Sequence, residues 1–137
     1  MEDFNKYFLG DRGIFLDNIS YESVSAESGH RTLGCNDTVV SQLSSTGIKI
    51  TFNRALHFEP EGPFFLSVTF GVVLVFNPKV KDEVDWAHTD IAGEFKKSCP
   101  QLLGQLMSRA SLLVGQITSS AGQIPIVTPA SPVMKGN

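Results

Sequence analysis

The chain has 137 residues, 42% hydrophobic and 18% charged, with eleven Lys and Arg against fourteen Asp and Glu for a formal net charge of −3. That length supports one domain able to bury most of its apolar surface, and the modest charge excludes wholesale disorder. The longest basic run, Lys96-Lys97, neutralises too few phosphates for nucleic-acid binding through a basic face, and no run of about eighteen apolar residues is present to insert in a membrane.

The start, Met1-Glu2-Asp3, is acidic and leads no apolar segment, so no signal peptide is expected. Cys35 and Cys99 are too few and too far apart for a disulfide framework or a zinc site, which makes a reducing cytoplasm the expected location. One count is out of line: ten Phe against one Trp and two Tyr.

Residues 1–12 lack periodicity and read as an N-terminal arm, leaving 13–130 as a single domain and 131–137 as a tail. Residues 13–24 are rich in β-branched and aromatic side chains and predict a strand. Phe15, Ile19 and Tyr21 share one parity there while Ile14 and Leu16 take the other, and a bulge near Asp17 would reconcile the two faces. Residues 25–46 are small and polar, with Gly29 and Gly34 as breakers, and suit a long connection with at most a short strand at 38–43.

Residues 47–58 alternate well. Ile48, Ile50, Phe52, Leu56 and Phe58 share one face, and Arg54 is the exception on it. Two prolines and a glycine in 59–63 make a turn. The strongest strand follows at 64–76: every even position is apolar, and the odd positions become so in the second half. A strand apolar on both faces is covered on both sides, or has one side waiting for a partner.

Residues 79–97 are ambiguous between a short strand at 80–86 and a helical turn at 90–97. A long helix then opens on Pro100, which suits the first helical position, and carries Leu102, Leu103, Leu106, Met107, Ala110, Leu113, Val114 and Ile117 at helical spacing, with Gly122 as its left-handed stop. Its other face is small and uncharged (Gly104, Gln105, Ser108, Ser111, Gly115, Gln116, Ser119), and Arg109 is the lone charge between Ser98 and Met134. Solvated helices carry more charge, so a second surface is expected to approach this face closely. Residues 123–137, with three prolines, should be extended.

Chemistry is hard to find. His88 with Asp90 and Glu94 is the one local cluster resembling an acid–base or ligand set, and it lies on a polar segment where solvated side chains are the commoner arrangement. Cys99 at a helix start is a place where a thiolate gains from the dipole, although a small buried cap residue explains it too. No GxSxG, Walker-type or GxGxxG motif occurs, so neither enzymatic activity nor a cofactor is expected. The remaining signal is apolar surface in excess of what one small core absorbs, as an oligomer interface or peptide groove would have.

Three segments resemble SecB-type export chaperones. Residues 14–26 contain Asn18-Ile19-Ser20-Tyr21-Glu22, similar to that family's D-I-S-[FY]-E motif in its first strand. Cys99-Pro100-Gln101-Leu102-Leu103 resembles its Cys-Pro at the start of the long helix, and residues 123–130 resemble the proline and aliphatic segment that follows. The resemblance implies an α+β fold, an antiparallel β-sheet packed against one long α-helix, assembled as a dimer of dimers. It also implies ATP-independent holding of unfolded client polypeptides in apolar grooves, with SecA, the translocation motor, as a partner in export, or an antitoxin protected by SecB-like relatives.

Groove candidates on this reading are Phe15, Tyr21, Phe65, Val73, Val75, Leu103 and Met107. Motor docking would use acidic side chains, Glu22 at a matching position and Asp17 as neighbour to Asn18, which stands where the family has aspartate. The family's second, C-terminal helix is not expected here, and its fourth strand is not visible in 79–90. Two other readings stay open: an accessory subunit of one fixed partner, such as a toxin–antitoxin system, and a hot-dog thioesterase using His88 with Asp90 or Glu94.

Overall fold

The computed structural model describes residues 1, 3–25, 29–121 and 126–129. Four strands, β1 (Phe8–Ser23), β2 (Thr32–Leu43), β3 (Gly47–Glu59) and β4 (Phe64–Phe76), form one sheet in the order β1-β4-β3-β2, antiparallel throughout. Two helices follow, α1 (Ile91–Ser98) and α2 (Pro100–Ser120), and α2 lies across one sheet face. This is the α+β arrangement expected, with the long helix joined by the short α1.

The central pair is built as its alternation dictates. Directly opposite residues share a face in an antiparallel pair, and Ile48↔Leu74, Ile50↔Val72, Phe52↔Phe70 and Leu56↔Leu66 place the apolar side chains of β3 and β4 together under the helix. From α2, Leu103, Leu106, Met107, Ala110, Val114 and Thr118 recur every three or four residues and close the core from above. Pro100 opens the helix as expected. The Gly122 stop lies outside the described residues, as does the 123–137 tail apart from 126–129.

The edges differ from the sequence expectation. β1 begins at Phe8 rather than Gly13, and residues 1–12 are less an arm than the start of the sheet: a 3-10 turn at Phe4–Tyr7 leads in, with Phe4 and Tyr7 buried. Register shifts interrupt the β1–β4 pairing between Phe8 and Gly10 and between Asp11 and Ile14, and these erase the period-two signal. Gly13, at φ 86°, turns the chain at the second of them, and its N–H is held by Asp11 Oδ1 at 2.8 Å. A third shift falls between Leu16 and Asn18, so the bulge expected near Asp17 is present.

The fourth strand is β2, and it does not lie in 79–90. It runs from Thr32, well ahead of the short 38–43 segment expected. Its first half is hard to recognise because Gly34 and Asn36 stand on an edge strand in place of apolar residues and Asp37, turned inward, is held there by Arg54. The His57 ring lies over Gly34, and a Cβ there would come within 2.4 Å of it. Residues 79–90 instead form 3-10 turns at Lys81–Glu83 and Trp86–His88. Trp86 is buried among Phe4, Tyr7, Phe8 and Phe76, and its Nε1 donates to the Lys81 carbonyl at 2.9 Å. The helical alternative at 90–97 holds: Asp90 Oδ1 caps α1 by accepting from Gly93 N–H.

Candidate functional site

The bulge at Asp17 decides which residues of β1 face which way. Leu16↔Phe70, Ile19↔Val68 and Tyr21↔Leu66 place those three on the helix side, whereas Phe15↔Gly71, Asn18↔Thr69 and Glu22↔Phe65 place Phe15 and Glu22 on the outer face. Phe15 and Tyr21, which share a parity in the sequence, therefore end on opposite sides of the sheet. On the helix side β1 overhangs α2. Leu16 (49% exposed) and Ile19 (41%) stay open, and Tyr21, stacked on Phe64 with ring centroids 5.5 Å apart, lines a groove with Leu113, Ile117 and Ala121.

The outer face is polar at its centre and apolar towards both ends. Asn53 Nδ2 donates to Ser67 Oγ at 2.7 Å and Thr69 Oγ1 at 2.8 Å, filling the middle. Towards one end Phe15 lies over Gly71, with Val73 and Val75 half-buried along the same strand; towards the other is exposed Phe65. Asp17 accepts from Lys49 Nζ at 2.7 Å, and that ammonium also stands 5.6 Å from the Phe15 ring centroid. Glu22 is exposed.

Leu103 and Met107 are elsewhere. At 7% and 6% exposure they sit in the helix–sheet core of this chain, because they share the helix stripe of Leu106 and Val114. Expected to line a groove, both are core residues of this chain. Open apolar residues that sequence reasoning missed include Leu16 and Ile19 on β1, whose inward direction depends on the bulge, and Leu112 and Val127 beside α2.

A second constellation surrounds Arg54, which is fully buried with no exposed side-chain surface. Nε and Nη2 donate to Asp37 Oδ1 and Oδ2, both at 2.8 Å, a bidentate pair across the β2–β3 register match Asp37↔Arg54. Burial works against the guanidinium's charge, but the hydrogen bonds and attraction of Asp37 outweigh it and hold the Arg54 pKa above its ordinary value. Nη1 reaches out of the sheet to Ser111 Oγ and Thr128 Oγ1, each at 2.8 Å, and to the Pro129 carbonyl. Arg54 is the exception in the β3 alternation, and that interruption was the signal that this part of the core is polar.

The remaining candidates for chemistry stand apart. His88 Nδ1 is 2.7 Å from Asp85 Oδ2, Asp90 caps α1, and Glu94 Oε1 lies 3.7 Å from both the amino terminus and Lys97 Nζ. Among the described residues no group of three His, Cys, Asp or Glu is placed to hold a metal ion. Cys99 gains no thiolate from the helix start: burial pushes its thiol up, and Sγ donates to Asn5 Oδ1 at 3.3 Å.

The architecture is a four-stranded antiparallel sheet with a long helix across one face. Among solved structures it is similar to the Mycobacterium tuberculosis Rv1957 SecB-like chaperone, itself solved in complex with a ChAD peptide from the Rv1956 HigA1 antitoxin. The TM-score is 0.60 at 10% identity, over 87% of this chain and 86% of that one. At that identity the likeness shows the fold. No family model and no curated protein matches the sequence.

Proposed function

We propose that this chain is an ATP-independent holding chaperone that binds unfolded or extended polypeptide segments by apolar burial. The observation that carries this reading is the open apolar row Leu16, Ile19 and Tyr21 on the helix side of the edge strand β1, with Tyr21 lining the groove beside α2. An edge strand offers unpaired backbone groups to an extended chain, and apolar burial gives on the order of 25 cal/mol per Å² without demanding a particular sequence. Phe15, Phe65, Val73 and Val75 supply a second apolar surface on the outer face. Assembly as a dimer of dimers in the cytoplasm, with Asp17 and Glu22 as contacts for the SecA motor, belongs to the same proposal.

One observation favours a narrower version. The structurally similar chaperone carries an antitoxin peptide, which supports a role for this chain as the dedicated chaperone of one partner in a toxin–antitoxin system. Turbidity assays decide the general reading: at stoichiometric ratio the protein should suppress aggregation of a chemically unfolded client, and failure to do so with several unrelated clients overturns it. Suppression for a single partner, with unrelated clients unaffected, selects the dedicated role. Light scattering on the same sample gives the oligomeric mass, expected at four protomers.

A further inference from the structure

Segment 126–129 lies along α2 as an extended ligand lies in a groove. Residues Ser111, Gly115 and Thr118 are spaced four and three apart and form one stripe of the helix. The segment runs antiparallel over that stripe. Ile126 N–H donates to Thr118 Oγ1 at 3.0 Å, and the Pro129 carbonyl accepts from Arg54 Nη1 and from Ser111 Oγ, the latter at 3.0 Å. Between them, a Cβ on Gly115 would stand 3.7 Å from the Ile126 carbonyl oxygen, ordinary contact distance. The close second surface that the small helix face called for is, over this stretch, the chain itself.

The seat reads two side chains and the backbone. Ile126 packs against the core, Val127 points away at 91% exposure, and Thr128 turns in again, its hydroxyl between Arg54 Nη1 at 2.8 Å and Ser111 Oγ at 3.2 Å. The polar members of the seat are buried: Arg54 and Thr118 have no exposed surface. A buried bidentate ion pair adds little net stability, yet here it fixes the guanidinium so that one nitrogen is aimed at the segment. The main-chain contacts at Ile126 and Pro129 are independent of sequence, so a chain other than this one can make them.

We propose that this seat is a polypeptide-binding site held in cis by residues 126–129, and that it takes in trans an extended segment with an aliphatic residue followed two positions on by Ser or Thr. The trans occupant replaces the cis one, so the chain's own segment acts as a tethered competitor. The inference rests on the polypeptide-binding role proposed above and adds a site on the far side of α2 from the β1 groove.

The probe is a fluorescein-labelled peptide copying residues 123–130, Gln-Ile-Pro-Ile-Val-Thr-Pro-Ala, titrated into the full chain and followed by anisotropy. Thr128→Val removes both hydrogen bonds of the cis hydroxyl, to Arg54 and to Ser111, and should tighten the peptide by about fivefold or more. Ile126→Ser, at a half-buried position, should do the same and serves if the first variant fails to fold. Adding Thr118→Val removes the same contact from the cis and the trans occupant and should leave that gain in place, and a peptide with its Thr replaced by Val should bind several-fold more weakly to all. In the wild type, saturating peptide should speed hydrogen exchange at the Ile126 amide and leave β3 and β4 amides slow.

A peptide that binds no variant, that binds all equally, or that saturates without freeing the Ile126 amide overturns the seat as a trans site. Loss of client holding in the turbidity assay with peptide binding intact overturns the chaperone role alone. Client holding with no peptide binding overturns the seat alone.

Discussion

Arg54 and Asp37 stand directly opposite one another on β3 and β2 and share two hydrogen bonds of 2.8 Å with no exposed side-chain surface on either residue. Removing one partner leaves a charge buried without its counterpart, a loss of about 3–5 kcal/mol, whereas replacing both with apolar residues of similar volume is close to neutral. Arg54→Met should therefore lower the urea midpoint strongly, and Arg54→Met with Asp37→Leu should recover most of the loss. The double variant keeps the sheet but lacks the nitrogen that holds Thr128 and Pro129, so exchange at 126–129 should stay fast while sheet amides regain protection. Equal recovery in both regions would show that the pair does not hold the segment.

Phe15 covers Gly71 on the outer face: a Cβ added to Gly71 would meet the Phe15 ring tip at 2.7 Å. The obstacle is the far end of a side chain on an edge strand, so Gly71→Ala should swing the ring aside and change stability by less than about 1 kcal/mol. Phe15 should then show new side-chain NMR shifts and lose its approach to the Lys49 ammonium. A loss of several kcal/mol would mean that the ring is fixed rather than resting on the glycine.

The central strands and the long helix were legible because packing and pattern agree in them. β4 occupies the same 64–76 expected, β3 extends one residue further, and Pro100 opens α2. The edges were not, for physical reasons particular to each. In β1, three shifts in register scramble a two-residue period, so Phe8 to Arg12 carried no visible alternation. In β2, Asp37 is inward-facing and charged, and only its pairing with Arg54 makes that position tolerable. Burial divided likewise: Tyr21 and Phe65 stay open on the sheet, while Leu103 and Met107, which look the same in sequence as residues of an open helix face, are core.

Asp17 is the extra residue of the bulge, and its ion pair with Lys49 at 2.7 Å is partly exposed, at 28% and 33% for the two side chains. Asp17→Ala should therefore cost no more than about 1 kcal/mol. Deleting Asp17 is a different perturbation. The pairs Leu16↔Phe70 and Asn18↔Thr69 become consecutive once the extra residue is gone, so Ile14, Phe15 and Leu16 keep their β4 partners and their faces while the local bend of the bulge is lost. Thermal unfolding should place the deletion within a few degrees of the alanine variant, and a far larger drop for the deletion would mean that the bend of the bulge is needed to seat β1 on β4.

Both cysteines have their thiol pKa raised, Cys99 by burial, and Cys35 by burial first and the Asp37 charge second, with Arg54 opposing. On unfolding each returns to about 8.5, so the unfolded chain ionises first as pH rises. Their contribution to stability is complete below that value and is lost as pH climbs through the folded values. Iodoacetamide should modify the folded chain near pH 8 far more slowly than the urea-unfolded chain, with the rate still rising beyond pH 9. A folded-state rate that levels off below pH 8.5 would contradict the burial of both thiols.

The two apolar surfaces of β1 can be separated by charge. Ile19 lies on the helix side at 41% exposure, and Val73 is half-buried on the outer face. A carboxylate at either position finds water at modest cost, yet it must be desolvated when an apolar client segment covers it. Ile19→Asp should reduce client holding by an order of magnitude or more while leaving the circular dichroism melt within a few degrees, because the helix-side face of β1 on which it lies is open before binding and covered after. Val73→Asp should leave holding much closer to wild type if clients enter between β1 and α2. Should Val73→Asp abolish holding and Ile19→Asp spare it, the outer face with Phe15 and Phe65 is the client surface and the groove under β1 is not.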